Sequence, residues 1–180
     1  MRWDIRNVIA QEYYWDIDIK NAHFIIACKF CEMYDIMHQV LDDYILNREE
    51  RLTMICPSNR DQAKIEFLKI LYGGNIKLYR EDIEEEEGII TTEGINYLRK
   101  LKSEMELLSH KIWDNYPQYH NLKTGKEKIS ISKKTNPKAS LMSIIFQTEE
   151  RKMLMYVKWF MEQKGRYLGV FIHDGGYIEK

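Results

Sequence analysis

Along this chain the spacing of hydrophobic and polar positions changes several times, and each change marks an element. From residue 11 to 19, Tyr14, Asp16 and Asp18 alternate with Tyr13, Trp15, Ile17 and Ile19. That two-residue period predicts a strand with one apolar face and both aspartates pointing the same way. Asn21 offers an N-cap for a helix running through Phe24 and Phe30 to about Met33. A second helix is predicted over 37–52, with Val40, Leu41, Tyr44 and Ile45 as its inner stripe. Pro57-Ser58-Asn59 breaks the chain and caps a helix that carries Arg60 and Lys64, and Gly73-Gly74 ends it.

Beyond an acidic run the pattern is helical over 93–114. It turns to loops over 115–138, with a short alternating strand at Ile129-Ser130-Ile131. A long amphipathic helix is predicted from Ala139 to Lys164. The last segment, Tyr167 to Lys180, reads as a β-hairpin turning at Gly175-Gly176. The fold class is therefore α+β.

With 180 residues, 44% of them hydrophobic, the chain can bury a substantial core and is not of the disordered class. The formal charge of −1 conceals a strong asymmetry. Residues 81–87 hold six acids, whereas 111–138 hold seven lysines against Asp114 and Glu127. The lysine-rich segment suits a phosphate backbone, and equally a solvated loop. Cys28, Cys31 and Cys56 without a leader point to a reducing interior, hence an intracellular, non-secreted protein. Cys28-x-x-Cys31 lacks a second pair and reads as small buried apolar residues. No apolar run approaches the ~20 residues of a membrane span.

Three stretches carry candidate chemistry. Arg60, Lys64 and Tyr72 stand four and eight residues apart, so on a helix each step of four advances the direction by about 40°. Two cations and an aromatic ring then share one strip, suited to a polyphosphate followed by a flat base. Ahead of it come Asp16 and Asp18, and after it His173-Asp174. Carboxylates on both sides in sequence are the oxygen donors that phosphate-bound magnesium needs.

In this order the three stretches resemble the motifs A, B and C of family A DNA polymerases. Arg-x3-Lys-x7-Tyr-Gly matches the fingers helix, Asp18 the motif A aspartate and His173-Asp174 motif C. The resemblance implies a polymerase-type palm, an antiparallel sheet with packed helices from residues 1–35 and 139–180, with a helical fingers insertion over 36–138. It implies template-directed transfer of dNTPs to a primer 3′-hydroxyl by two Mg2+ (or Mn2+) ions. Asp18 and Asp174, with Asp16 as second ligand or alternative motif A residue, would hold the metal. Lys64 would also act as acid toward pyrophosphate, and Arg60, Lys64 and Tyr72 would bind the dNTP. His23 would stand where the family uses a glutamate under the sugar, or else be a buried helix-capping histidine. Gln147, His173, Lys126, Lys133 and Lys134 would contact primer–template DNA.

The sequence departs from the family's pattern in three places. Leu68 replaces an aromatic residue of the fingers helix, and Gly175 replaces the acid after the motif C aspartate. Only fifteen residues precede Asp16, so the thumb and proofreading domain are expected to be absent and replaced by further domains or a replication partner. Two alternatives follow: a catalytically inactive module binding nucleic acid or a replication partner, and a metal-dependent nuclease using Asp16, Asp18 and Asp174.

Overall fold

The computed structural model describes residues 12–76, 90–124, 128–172 and 175–180. The chain is α+β. It divides into two compact units, one made of Met1–His23 and Phe146–Lys180 and the other of Phe24–Ile145. The expected palm segments contain the whole of the first unit, and the expected fingers segment lies wholly within the second.

In the first unit β1 (Tyr14–Asp18), β4 (Leu168–Ile172) and β5 (Gly175–Glu179) form an antiparallel sheet in the order β1-β5-β4. β1 is thus an edge strand. Its expected apolar face is not buried: Tyr13 and Trp15 are more than 60% exposed, and Ile17 and Ile19 are only half-buried. Cover comes instead on β4 and β5, where Leu168, Tyr177 and Ile178 are buried.

The glycine pair expected at the hairpin turn lies within β5. Gly175 stands opposite Asp18. A Cβ on Gly175 would overlap the Ile17 carbonyl oxygen and lie 3.1 Å from Asp18 Cα. Only glycine lets the two backbones approach this closely, which is the physical reason for strand rather than turn.

The helices are α1 (Ala22–Met33), α2 (Gln39–Leu46), α3 (Arg48–Ile55), α4 (Arg60–Leu71), α5 (Thr92–Asn115) and α6 (Pro137–Gln163). The division between the units falls inside α1 and inside α6. Asn21 precedes α1 but takes φ 59°, and its Oδ1 has no hydrogen-bond partner among the described residues, so it is a left-handed junction rather than a side-chain cap.

The single helix expected over 37–52 is two. The chain breaks at Asn47 (φ −115°, ψ 32°), whose side chain bonds to Asp43 at 2.9 Å. Asn59 caps α4 by accepting from the Gln62 amide at 2.9 Å. α4 closes in a Schellman motif, with the Gly73 amide bonded to Ile70 O and the Gly74 amide to Lys69 O. That closure requires the left-handed φ of 70° that Gly73 supplies.

Thr91 Oγ accepts from the Gly94 amide at 2.9 Å and donates to the Met54 carbonyl at 2.7 Å, fastening the start of α5 to α3. The second unit's core fills from these helices. Leu41, Leu52, Ile55, Ile70, Leu98 and Leu101 are fully buried, and the Tyr44 ring lies 4.5 Å from Phe24 and 4.0 Å from Phe67. β2 (Lys123–Thr124) pairs with β3 (Ile129–Ser130), and Ile131 begins a 3-10 turn. Among the described residues no helix is long and apolar enough to cross a membrane.

Candidate functional site

In the first unit, alternation along β1 puts Asp16 and Asp18 on one face, both exposed. The register pairs Asp16 with Tyr177 and Asp18 with Gly175. Asp174, the residue before Gly175 in sequence, lies outside the described residues, as do His173 and Lys126. Five residues past β1, His23 Nε2 lies 3.0 Å from Glu150 Oε1 on α6, and its ring lies 6.1 Å from Phe146. Both side chains of that pair are at least four-fifths buried. Gln147 is exposed on the same helix.

In the second unit, Arg60 and Lys64 are exposed on α4. Arg60 is already engaged: its Nε and Nη2 donate to the two carboxylate oxygens of Glu49 at 2.8 and 2.7 Å. This fork raises the guanidinium's pKa further above its already high value. A phosphate reaching Arg60 must displace Glu49. Phe67, Ile70 and Leu71 face the core while Lys64 stays outside, so the cationic strip and the packing stripe occupy different faces of α4. Tyr72 lies one residue past the helix, with φ −97° and ψ 25°.

Tyr72 lines a cavity of about 890 Å³ together with Lys133 and Lys134. The structure thus joins Tyr72 to two lysines of the basic segment, about sixty positions apart in sequence. Thr124, Ser140 and Ser143 add hydroxyls to the same cavity. Its floor is held by Asn136, whose Oδ1 accepts from the Ala139 amide and whose Nδ2 donates to the Gly73 carbonyl, both at 3.1 Å. One side chain therefore caps α6 and ties its start to the end of α4. Pro137 at the first helical position completes the cap.

Ammonium groups, hydroxyls and the first turn of a helix all favour an anion, and the ring beside them offers a stacking surface. Sequence reasoning missed the capping role of Asn136, the hydroxyls, and the carboxylate partners Glu49 and Glu150. The Asn-Pro step was a legible cap signal, whereas Glu49 reaches Arg60 from a separate helix eleven positions earlier and Glu150 comes from distant sequence.

No protein-family model and no solved structure matches the chain. The chain is 29% identical over 178 residues to the protein named "Putative helicase V13" of Sputnik virophage, a match covering 97% of this chain. The chain spans 22% of that protein's length.

Proposed function

We propose that the chain is a template-directed nucleotidyl-transfer module, extending a DNA primer with dNTPs as one part of a larger replication protein. The observation that carries this reading is the β1–β5 register, in which Asp18 stands opposite the residue that follows Asp174. A relative named as a helicase supports the setting: a protein that unwinds nucleic acid exposes template, and this chain corresponds to about a fifth of its length.

The donor set fits magnesium. Asp16 and Asp18 present exposed, oxygen-only ligands on one strand face, and magnesium takes one or two carboxylates while keeping several waters. Asp18 and Asp174 would hold the ions, with Asp16 beside them. When bound, the ions lower the pKa of the attacking 3′-hydroxyl and neutralise the pyrophosphate.

The protein's own residues supply binding and orientation. Lys64 holds the triphosphate as a point charge and donates a proton to the departing pyrophosphate. Arg60 exchanges Glu49 for phosphate oxygens and keeps the same fork geometry. Tyr72 stacks on a base while Lys133 and Lys134 hold the strand's phosphates in the adjoining cavity. Glu150 orients His23 beneath the sugar.

The test is primer extension with the purified chain. Extension should require Mg2+ or Mn2+, and Asp18→Asn or Asp174→Asn should abolish it while duplex binding persists. Binding that never leads to extension under either metal would replace this reading with a non-catalytic nucleic-acid module. Metal-dependent primer loss, abolished by Asp174→Asn, would replace it with a nuclease.

A further inference from the structure

Far in sequence from the carboxylates of β1, three ligand-bearing side chains converge where α1 meets the start of α2. Cys28 Sγ lies 3.4 Å from Asp42 Oδ1, and His38 Nε2 lies 3.5 Å from Asp42 Oδ2. One ligand atom from each residue falls within 4.8 Å of the others. A tetrahedral ion with a sulfur at about 2.3 Å and nitrogen or oxygen at about 2.0–2.1 Å sets its ligand atoms about 3.3–3.6 Å apart. The two separations fall in that range and end on the two different oxygens of Asp42, so the carboxylate reaches the ion through both or turns to present one.

The histidine is also held as a ligand would be. His38 Nδ1 is 2.7 Å from the Ile36 carbonyl oxygen, which can only accept, so Nδ1 carries a proton and Nε2 is the ring atom turned to Asp42, 3.5 Å from its Oδ2. His38 precedes α2 but makes no side-chain cap bond. Glu104, from α5, accepts the Val40 and Leu41 amides at 2.9 and 3.0 Å instead, leaving the imidazole available. Access is graded: Cys28 is buried, His38 is half-buried and the Asp42 side chain is 53% exposed, so an ion can enter from solvent.

We propose that Cys28, His38 and Asp42 bind one divalent transition-metal ion of the zinc class, with water in the fourth position. A thiolate, an imidazole and a carboxylate form a borderline-soft donor set that selects zinc or cobalt over magnesium. The ion fastens α1 to α2 across residues 34–38. Without it the thiol keeps its proton and donates to Asp42, so binding releases that proton. Cys31, one turn further along α1, is fully buried and falls outside the cluster.

The test uses the full chain, stripped with EDTA under a non-thiol reductant and titrated with Co2+. One cobalt should bind per chain with sulfur-to-cobalt charge-transfer absorption and tetrahedral d–d bands, and Zn2+ should bleach both. Cys28→Ser should abolish the charge-transfer band, and Cys31→Ser should keep it. Asp42→Asn, at an exposed position with little effect on folding, should weaken cobalt binding at least about tenfold, with an unchanged circular-dichroism spectrum. The proposal is overturned if no charge-transfer band forms, if the band survives Cys28→Ser, or if Asp42→Asn binds cobalt as the wild type does. None of these outcomes depends on primer extension.

Discussion

Gly175 is the position at which strand packing and the proposed chemistry meet, and adding a single methyl group tests both. In Gly175→Ala the new Cβ runs into one peptide unit of β1: the Ile17 carbonyl oxygen, which it overlaps, and Ile17 C and Asp18 Cα, each at 3.1 Å. No side chain can rotate out of the way, so β1 must withdraw. Overpacking of this kind costs about 1–3 kcal/mol, and each backbone hydrogen bond stretched or lost at the Asp18 end adds about 0.5–1.5 kcal/mol. With one such bond lost the sum, about 1.5–4.5 kcal/mol, should appear as local opening. Amides of β1 should lose about 10- to 1,500-fold in hydrogen-exchange protection, while α4 and α5 keep theirs.

Because Asp18 moves with its strand, primer extension should fall in the same variant. Gly175→Asp restores the acid that the resembled polymerases carry after the motif C aspartate. It should fail as well, because here β1 occupies the space that side chain would need. Wild-type exchange in β1 together with full extension in both variants would refute the reasoning.

Lys64→Ala and Arg60→Ala should each slow incorporation about tenfold or more without changing the helical spectrum, since both side chains are exposed; unchanged kinetics in both would make the strip a solvated surface. Glu49→Gln releases Arg60 and should tighten dNTP binding by up to about fivefold, and a weaker affinity would contradict the exchange of Glu49 for phosphate. Asp43 accepts from Arg51 Nε and Nη2 at 2.6 and 2.9 Å, from Tyr97 at 2.7 Å and from Asn47 at 2.9 Å, and the Arg51 guanidinium above all holds its carboxyl well below the usual range. A depressed folded pKa contributes stability that is complete above the unfolded value of about 3.9 and is lost as pH falls below it. The urea midpoint of the wild type should therefore drop more steeply below about pH 5 than that of Asp43→Asn, and equal slopes would dismiss the network.

The signals that proved legible were local. Asn59 and Gly73 mark helix ends because a cap or a left-handed turn depends on a few neighbouring residues. Period failed on β1: Tyr13 and Trp15 alternate as buried residues do, yet on an edge strand they remain exposed. The stripe over 37–52 was real, but a hydrophobic period carries no sign of the Asn47 break, where the backbone leaves the helical region at φ −115° and ψ 32°. Gly175-Gly176 looked like a turn because nothing local shows that Ile17 packs against it.

At the candidate site, the order Asp18, Arg60, Lys64, Tyr72 was readable as spacing. The cavity joining Tyr72 to Lys133 and Lys134 was not, because it forms only when the start of α6 is tied to the end of α4 by Asn136. The Cys28–His38–Asp42 cluster escaped for a similar reason. Its ligands come from α1, the residue before α2 and α2 itself, and the visible Cys28-x-x-Cys31 spacing read only as small buried apolar residues.

The central claim is that Asp18 and Asp174 act on one reaction. Its most direct measurement is the separation of their carboxylates in a crystal of the chain grown with primer–template, an incoming dNTP and Mn2+. The account predicts carboxylates within about 4–7 Å of each other, bridged by manganese visible in anomalous density and contacting the triphosphate. Carboxylates on opposite sides of the sheet, with manganese held by neither, would contradict it.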